Sequence, residues 1–135
     1  MNNPHTDTTK IKVTDLNFYY GNRHVLKNLN VNFEKNAITA LVGPSGAGKS
    51  TFLVTLNRLW ENFPDTRMIG KVEINLCDVW CDIYKRGISV TDLRRRVALV
   101  FQTPNPLPMS ILKNIMFPLK LAGIHDKAIM RAKAE

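Results

Sequence analysis

Residues 43–51 read GPSGAGKST and satisfy the phosphate-loop pattern G-x-x-x-x-G-K-[ST], with Gly43, Gly48, Lys49 and Ser50 at its fixed positions. The residue types answer a physical demand. Glycines let successive backbone N–H groups turn into one concavity, where they can bind phosphate oxygens at the positive end of the helix that follows. Gly43, Pro44, Ser45, Gly46, Ala47, Gly48, Lys49, Ser50 and Thr51 are therefore the candidate cradle for a nucleotide, ATP or GTP. Lys49 is placed to bridge the β- and γ-phosphates as a point charge, and Ser50 to put its hydroxyl on Mg2+. A chance Gly/Ser turn would leave its flanks unexplained.

Those flanks are the elements that must position the loop. ITALV at 38–42 is short and apolar, the signature of a strand buried on both faces of a parallel sheet. From Lys49 onward, Phe52, Leu53, Leu56, Leu59 and Trp60 recur at helical spacing until Pro64 ends the stretch. Upstream, residues 11–20 and 25–33 read as two antiparallel strands around a Gly21-Asn22 turn. Downstream come a strand at 70–76, a helix at 90–96 with Thr91 available as its N-cap, and a second buried strand at 97–101. Pro104, Pro106 and Pro108 make the next segment stiff and extended, and helices are expected at 111–117 and 126–135. The last of these stops in mid-pattern without a cap. No run of four apolar residues is followed by Asp or Glu, so the magnesium-holding acid that hydrolysis needs is not found in this sequence.

At 135 residues and 44% hydrophobic, the chain amounts to one domain at most and can form a core without disulfides. The longest apolar run, at 97–101, is far too short to span a bilayer, and the first ten residues do not read as a secretory signal. A cytosolic location is the default expectation. Cys77 and Cys81 have no second pair of ligands beside them and read as two reduced structural thiols. The net charge of +8 is uneven: residues 83–135 hold ten Lys/Arg against three acids and include Arg94, Arg95 and Arg96. A basic face for nucleic acid is one reading. A solvated helix turn is the stronger one, because no aromatic residues are interleaved for base stacking.

The phosphate loop, the pair Tyr19-Tyr20 before Gly21, and VALVFQ ending in Gln102 together resemble the ATP-binding subunit of ABC transporters. The resemblance implies an α/β fold with the P-loop NTPase (ABC ATPase) core, here incomplete, an N-terminal antiparallel β subdomain and the start of a helical subdomain. It divides the chain into a polar arm at 1–10, an antiparallel part at 11–36, the P-loop core at 37–102 and the start of the helical subdomain at 103–135. It implies that Tyr20, with Tyr19 as the alternative, stacks on adenine. Gln102 would contact Mg2+ and the attacking water, which makes Lys49 and Gln102 the catalytic candidates and Ser50 and Gln102 the metal candidates.

PNPLPMS at 104–110 and LNRLWENFPDTRMIGKVEI at 56–74 are similar to phosphate importer ATP-binding subunits, although Leu112-Lys113 and Phe117-Pro118-Leu119 depart from the family's usual residues. The implied cofactors are ATP and Mg2+. The implied partners are membrane-spanning permease subunits, a second ATP-binding subunit in a homodimer and, indirectly, an extracytoplasmic phosphate-binding protein, with no nucleic acid. The implied place is the cytoplasmic face of the membrane, held peripherally. The family's signature motif, catalytic glutamate and switch histidine are not found here, so poor stability and no competent turnover by this chain alone are expected. Competing readings are a short nucleotide-binding remnant without turnover, a basic nucleic-acid-binding domain, and a small kinase or GTPase, the last disfavoured because no Asn-Lys-x-Asp motif is present.

Overall fold

A computed structural model describes residues 8–134, so most of the expected N-terminal arm lies outside the described residues. Two compact units emerge, one extending to Leu99 and one beginning at Val100.

The first unit is built on a four-stranded antiparallel sheet of order β2-β1-β3-β4, formed by β1 (Thr9–Tyr20), β2 (Arg23–Glu34), β3 (Thr66–Leu76) and β4 (Val79–Asp82). The expected hairpin is present: Tyr20 pairs with Arg23 across Gly21-Asn22, and the Gly21 amide donates to the Asp65 carbonyl at 2.6 Å. β3 begins at Thr66, four residues ahead of the expected start, because Gly70 does not break the strand. It sits opposite a bulge in β1, where the register slips between Thr14 and Asn17. Asp15 in that bulge has φ 49, and its amide and carboxylate are held by the Asn30 side chain at 3.0 and 3.1 Å.

One face of the sheet carries the core. Val13, Leu16 and Phe18 of β1, Leu26 of β2 and Val72 and Ile74 of β3 are buried together with Phe52, Ile83 and Leu93. Phe52 belongs to α1 (Lys49–Thr55), and Leu93 to α2 (Val90–Arg96). Alternation along β1 puts Phe18 on this face and Tyr19 on the other.

Three local expectations need correction. The helix after Lys49 stops at Thr55 and gives way to a 3-10 turn at Leu59–Asn62, since Arg58 adopts φ 59 and the Asn57 side-chain oxygen takes the Leu59 amide at 3.2 Å. Periodicity reads past this break because Leu56 and Trp60 still pack on the core from the turn. The N-cap of α2 is Ser89, whose hydroxyl accepts from the Asp92 amide at 3.2 Å, and Thr91 lies inside the helix. The largest departure concerns 38–42 and 97–101, which form no strand and are mostly exposed, with Ile38, Val42 and Val100 almost wholly so. Apolar composition favours a buried strand, but a ladder requires a neighbour, and among the described residues neither segment has one.

In the second unit, α3 (Ile111–Leu121) is capped by Ser110 and runs past the expected end at residue 117 with Pro118 inside it. Asn114 ties the proline-rich approach to this helix: its Nδ2 donates to the carbonyls of Leu107, Met109 and Ser110, and its Oδ1 accepts from the Leu107 amide at 2.8 Å. α4 (Lys127–Ala134) starts one residue later than expected, because Asp126 serves as its cap and accepts from the amides of Ala128 and Ile129.

Gly70 tests the bulge. At φ 115, a Cβ there would lie 2.5 Å from the Asp15 carbonyl oxygen and 2.7 Å from the Leu16 Cα, and backbone atoms cannot rotate away. Gly70→Ala is expected to cost about 3 kcal/mol or more of stability, read as a lowered thermal or urea midpoint; an unchanged midpoint would remove the bulge from this account.

Candidate functional site

The phosphate-loop residues meet at the front of α1. Gly46 and Gly48 have φ 78 and 90, and Gly48 is the N-cap of the helix without offering a capping side chain. The Phe52 amide donates to the Gly48 carbonyl at 2.8 Å, the first bond of the helix. The amides of Gly48, Lys49, Ser50 and Thr51 precede that bond and have no acceptor within the helix. Four donors at the positive end of a helix dipole form an anion receptor without any charged group. Ala47 closes a tight turn onto the Pro44 carbonyl at 3.3 Å, so loop and helix follow each other without a linker.

Lys49 adds the charge. Its Nζ donates to the carbonyls of Gly43 and Pro44 at 2.8 and 2.7 Å, so the ammonium lies across the mouth of its own loop. A phosphate oxygen is a better acceptor for an ammonium than a neutral carbonyl, and the exchange needs only rotation of the side chain. Ser50 is exposed on the first turn, where its hydroxyl is available to a ligand, and Thr51 is half-buried. The segment 38–42 feeds the loop, and a hollow of about 410 Å³ beside it is lined mostly by apolar residues such as Leu26, Val31, Phe33, Leu41 and Phe52, with Gly48 and Lys49 at its edge. The polar donors lie at the front of α1.

The two tyrosines separate. Tyr19 stacks on His24 of β2 with ring centroids 4.2 Å apart and lies under the Arg67 guanidinium of β3 at 4.3 Å. Both neighbours engage it on the sheet face away from the core. Tyr20 lies on the core side, edge-on to Phe18 at 5.1 Å, and is 37% exposed. Of the pair, Tyr20 has ring surface to offer and shares a face with α1. Gln102 belongs to the second unit, where it is exposed in an open hollow with Phe101, Thr103, Pro104 and Asn105.

Sequence reasoning missed the residues at the other end of α1. The Tyr84 hydroxyl donates to the Thr55 carbonyl at 2.6 Å and accepts from the Trp60 indole at 2.8 Å, and burial pushes its phenol well above the usual range. Arg94 donates through Nε to the Asn57 carbonyl at 3.1 Å and through Nη2 to the Arg58 carbonyl at 2.8 Å. In sequence, Arg94, Arg95 and Arg96 are indistinguishable; only the packing of Leu93 turns the first of them inward. Arg95 pairs loosely with Asp92, and Arg96 reaches the Cys77 sulfur at 3.4 Å. Cys77 and Cys81 are both free.

A family model described as ABC transporter matches residues 26–135, which include the loop, α1 and Gln102. The chain belongs to the ABC transporter family. Among curated relatives, it is 42% identical over 129 residues to the phosphate import ATP-binding protein PstB of Bacteroides thetaiotaomicron, covering 96% of this chain and 50% of that protein. It is 50% identical over 121 residues to PstB of Koribacter versatilis, covering 89% and 46%. PstB 2 of Lactiplantibacillus plantarum is 41% identical over 128 residues, covering 95% and 49%. The chain spans about half the length of these relatives. The fold inferred from the loop, a P-loop ABC ATPase core present in part, is thereby shown. Among the described residues no helix is long and apolar enough to cross a membrane.

Gly48 tests the geometry of the cap. A Cβ there would meet Leu26 Cδ2 at 2.9 Å, a side-chain tip that can move aside, whereas φ 90 would remain strained. Gly48→Ala is expected to cost about 1–2 kcal/mol by chemical denaturation. Adding Leu26→Ala should recover none of the backbone share; full recovery would show the constraint to be steric.

Proposed function

We propose that this chain carries the nucleotide site of an ATP-binding subunit of an ABC importer for inorganic phosphate, and binds MgATP at residues 43–51. The observation that supports this most is the front of α1, where the amides from Gly48 to Thr51 have no acceptor within the helix and the Gly43 and Pro44 carbonyls hold the Lys49 ammonium beside them. In this reading the amides take phosphate oxygens, and Lys49 leaves the Gly43 and Pro44 carbonyls for the β- and γ-phosphates. The Ser50 hydroxyl would help to hold Mg2+, which when bound would offset the phosphate charge. Tyr20 stacks on the adenine ring. By the family resemblance Gln102 would serve magnesium and the attacking water, and its loop would meet the permease.

The partners proposed are membrane-spanning permease subunits, a second ATP-binding subunit in a homodimer and, at one remove, an extracytoplasmic phosphate-binding protein. The place proposed is the cytoplasmic face of the membrane. The name of these relatives, phosphate import ATP-binding protein, supports the transported ion and the nucleotide alike. A second reading is nucleotide binding without turnover. It is favoured by the exposed apolar segments 38–42 and 97–101, which flank the chemistry without a sheet to hold them.

Calorimetry with MgATP tests the assignment. Lys49→Ala should weaken binding by roughly a hundredfold or more, since it removes charge-assisted contacts. Tyr20→Ala should weaken it by about fivefold to tenfold and Tyr19→Ala hardly at all. Unchanged affinity in Lys49→Ala would overturn the reading. Gln102→Ala should leave binding intact; magnesium-dependent phosphate release by the unmodified chain would count against the second reading.

A further inference from the structure

α1 has seven residues, too few to be stable on its own hydrogen bonds, so its axis is set by whatever grips its two ends. At the front, the loop abuts Val25 and Leu26 of β2, and Phe52 stacks on Phe33 with ring centroids 5.7 Å apart. At the back, several carbonyls of α1 and of the turn that follows it have identifiable partners. The Phe52 carbonyl takes the Thr55 hydroxyl at 2.6 Å, and the Leu53 carbonyl takes the Leu56 amide at 3.2 Å. The carbonyls of Thr55, Asn57 and Arg58 are taken from outside by Tyr84 and Arg94.

We infer that Arg94, seconded by Tyr84, is a positioning residue for the phosphate loop: its guanidinium clamps the Asn57 and Arg58 carbonyls and fixes the axis along which the front amides point. The inference rests on the reading of residues 43–51 as the nucleotide site. Arg94 is half-buried, while its neighbours Arg95 and Arg96 are exposed. Its planar fork spans two successive carbonyls, which a single point charge does less well. Its positive charge lies at the negative end of the α1 dipole, the favourable arrangement. Without the clamp the back of the helix would be free to tilt, and the direction in which the front amides point would shift with it. Small shifts of this kind are costly where a site binds through geometry.

The test measures affinity for MgATP and for magnesium tripolyphosphate, which carries only the phosphate part of the nucleotide. Arg94→Gln is expected to weaken both by the same factor, about tenfold, with an unchanged far-ultraviolet circular dichroism spectrum. Arg95→Gln, an equal loss of charge one residue away, is expected to bind both as the unmodified protein does. Arg94→Lys, which keeps the cation and reaches one carbonyl, should stay within about threefold. Should Arg94→Gln not fold, Tyr84→Phe decides in its place, with an expected weakening of about threefold for both ligands and wild-type affinity as the contrary result. Arg94→Gln binding as tightly as Arg95→Gln, or losing stability at unchanged affinity, would overturn the inference while the nucleotide site stands. No binding of either ligand by the unmodified chain, or undiminished binding by Lys49→Ala, would remove the nucleotide reading itself and the inference with it.

Discussion

Phe52 packs face to face on Phe33, and through this contact α1 is anchored to the antiparallel sheet. The Phe52 side chain is buried among Leu26, Phe18 and their neighbours, which is worth about 2–3 kcal/mol, while its amide makes the first hydrogen bond of the helix to Gly48. Phe52 thus seats the front of the helix and sets where its hydrogen-bonding begins. Everything ahead of that bond, from Gly48 to Thr51, is left with amides pointing forward. The phosphate loop is in this sense a consequence of core packing: a helix anchored four residues after its cap must present an unpaired front.

Charge follows a similar logic. A net charge of +8 with a run of three arginines invites a search for an anionic surface, yet much of it serves backbone and rings. Arg94 is committed to carbonyls, Arg67 to the Tyr19 ring, Arg58 to Glu61 and the Ile83 carbonyl, and Lys49 to its own loop. Only Lys49 among these gains a stronger acceptor when a phosphate arrives. Surface pairs such as Lys35 with Asp78 contribute little by comparison.

What was legible in the sequence follows from how locally each feature is determined. GPSGAGKST could be read because its pattern is carried by nine consecutive residues, and the β1–β2 hairpin because its turn and alternation are local. The limits of α2 could be read to the residue, but its cap could not, since Ser89 and Thr91 are equally good acceptors and the backbone decides between them. The break after Thr55 was hidden because Asn57 and Arg58 act through a side-chain bond and a positive φ that periodicity does not register. ITALV and VALVF have the composition of buried strands, but burial is a property of neighbours, and among the described residues those neighbours are missing. Arg94 and Tyr84 were invisible for the same reason: each meets its partner across roughly thirty residues of chain.

The central claim is that the unpaired amides at the front of α1 receive the phosphates of a nucleotide. It is tested most directly by titrating the nitrogen-15-labelled chain with MgATP and following each backbone amide by nuclear magnetic resonance. The account predicts that the largest shifts fall on residues 46–51, with a smaller response at Tyr20 and none specific to Arg95 or Arg96. Shifts centred elsewhere, or a loop that does not respond while the ligand binds, would contradict it.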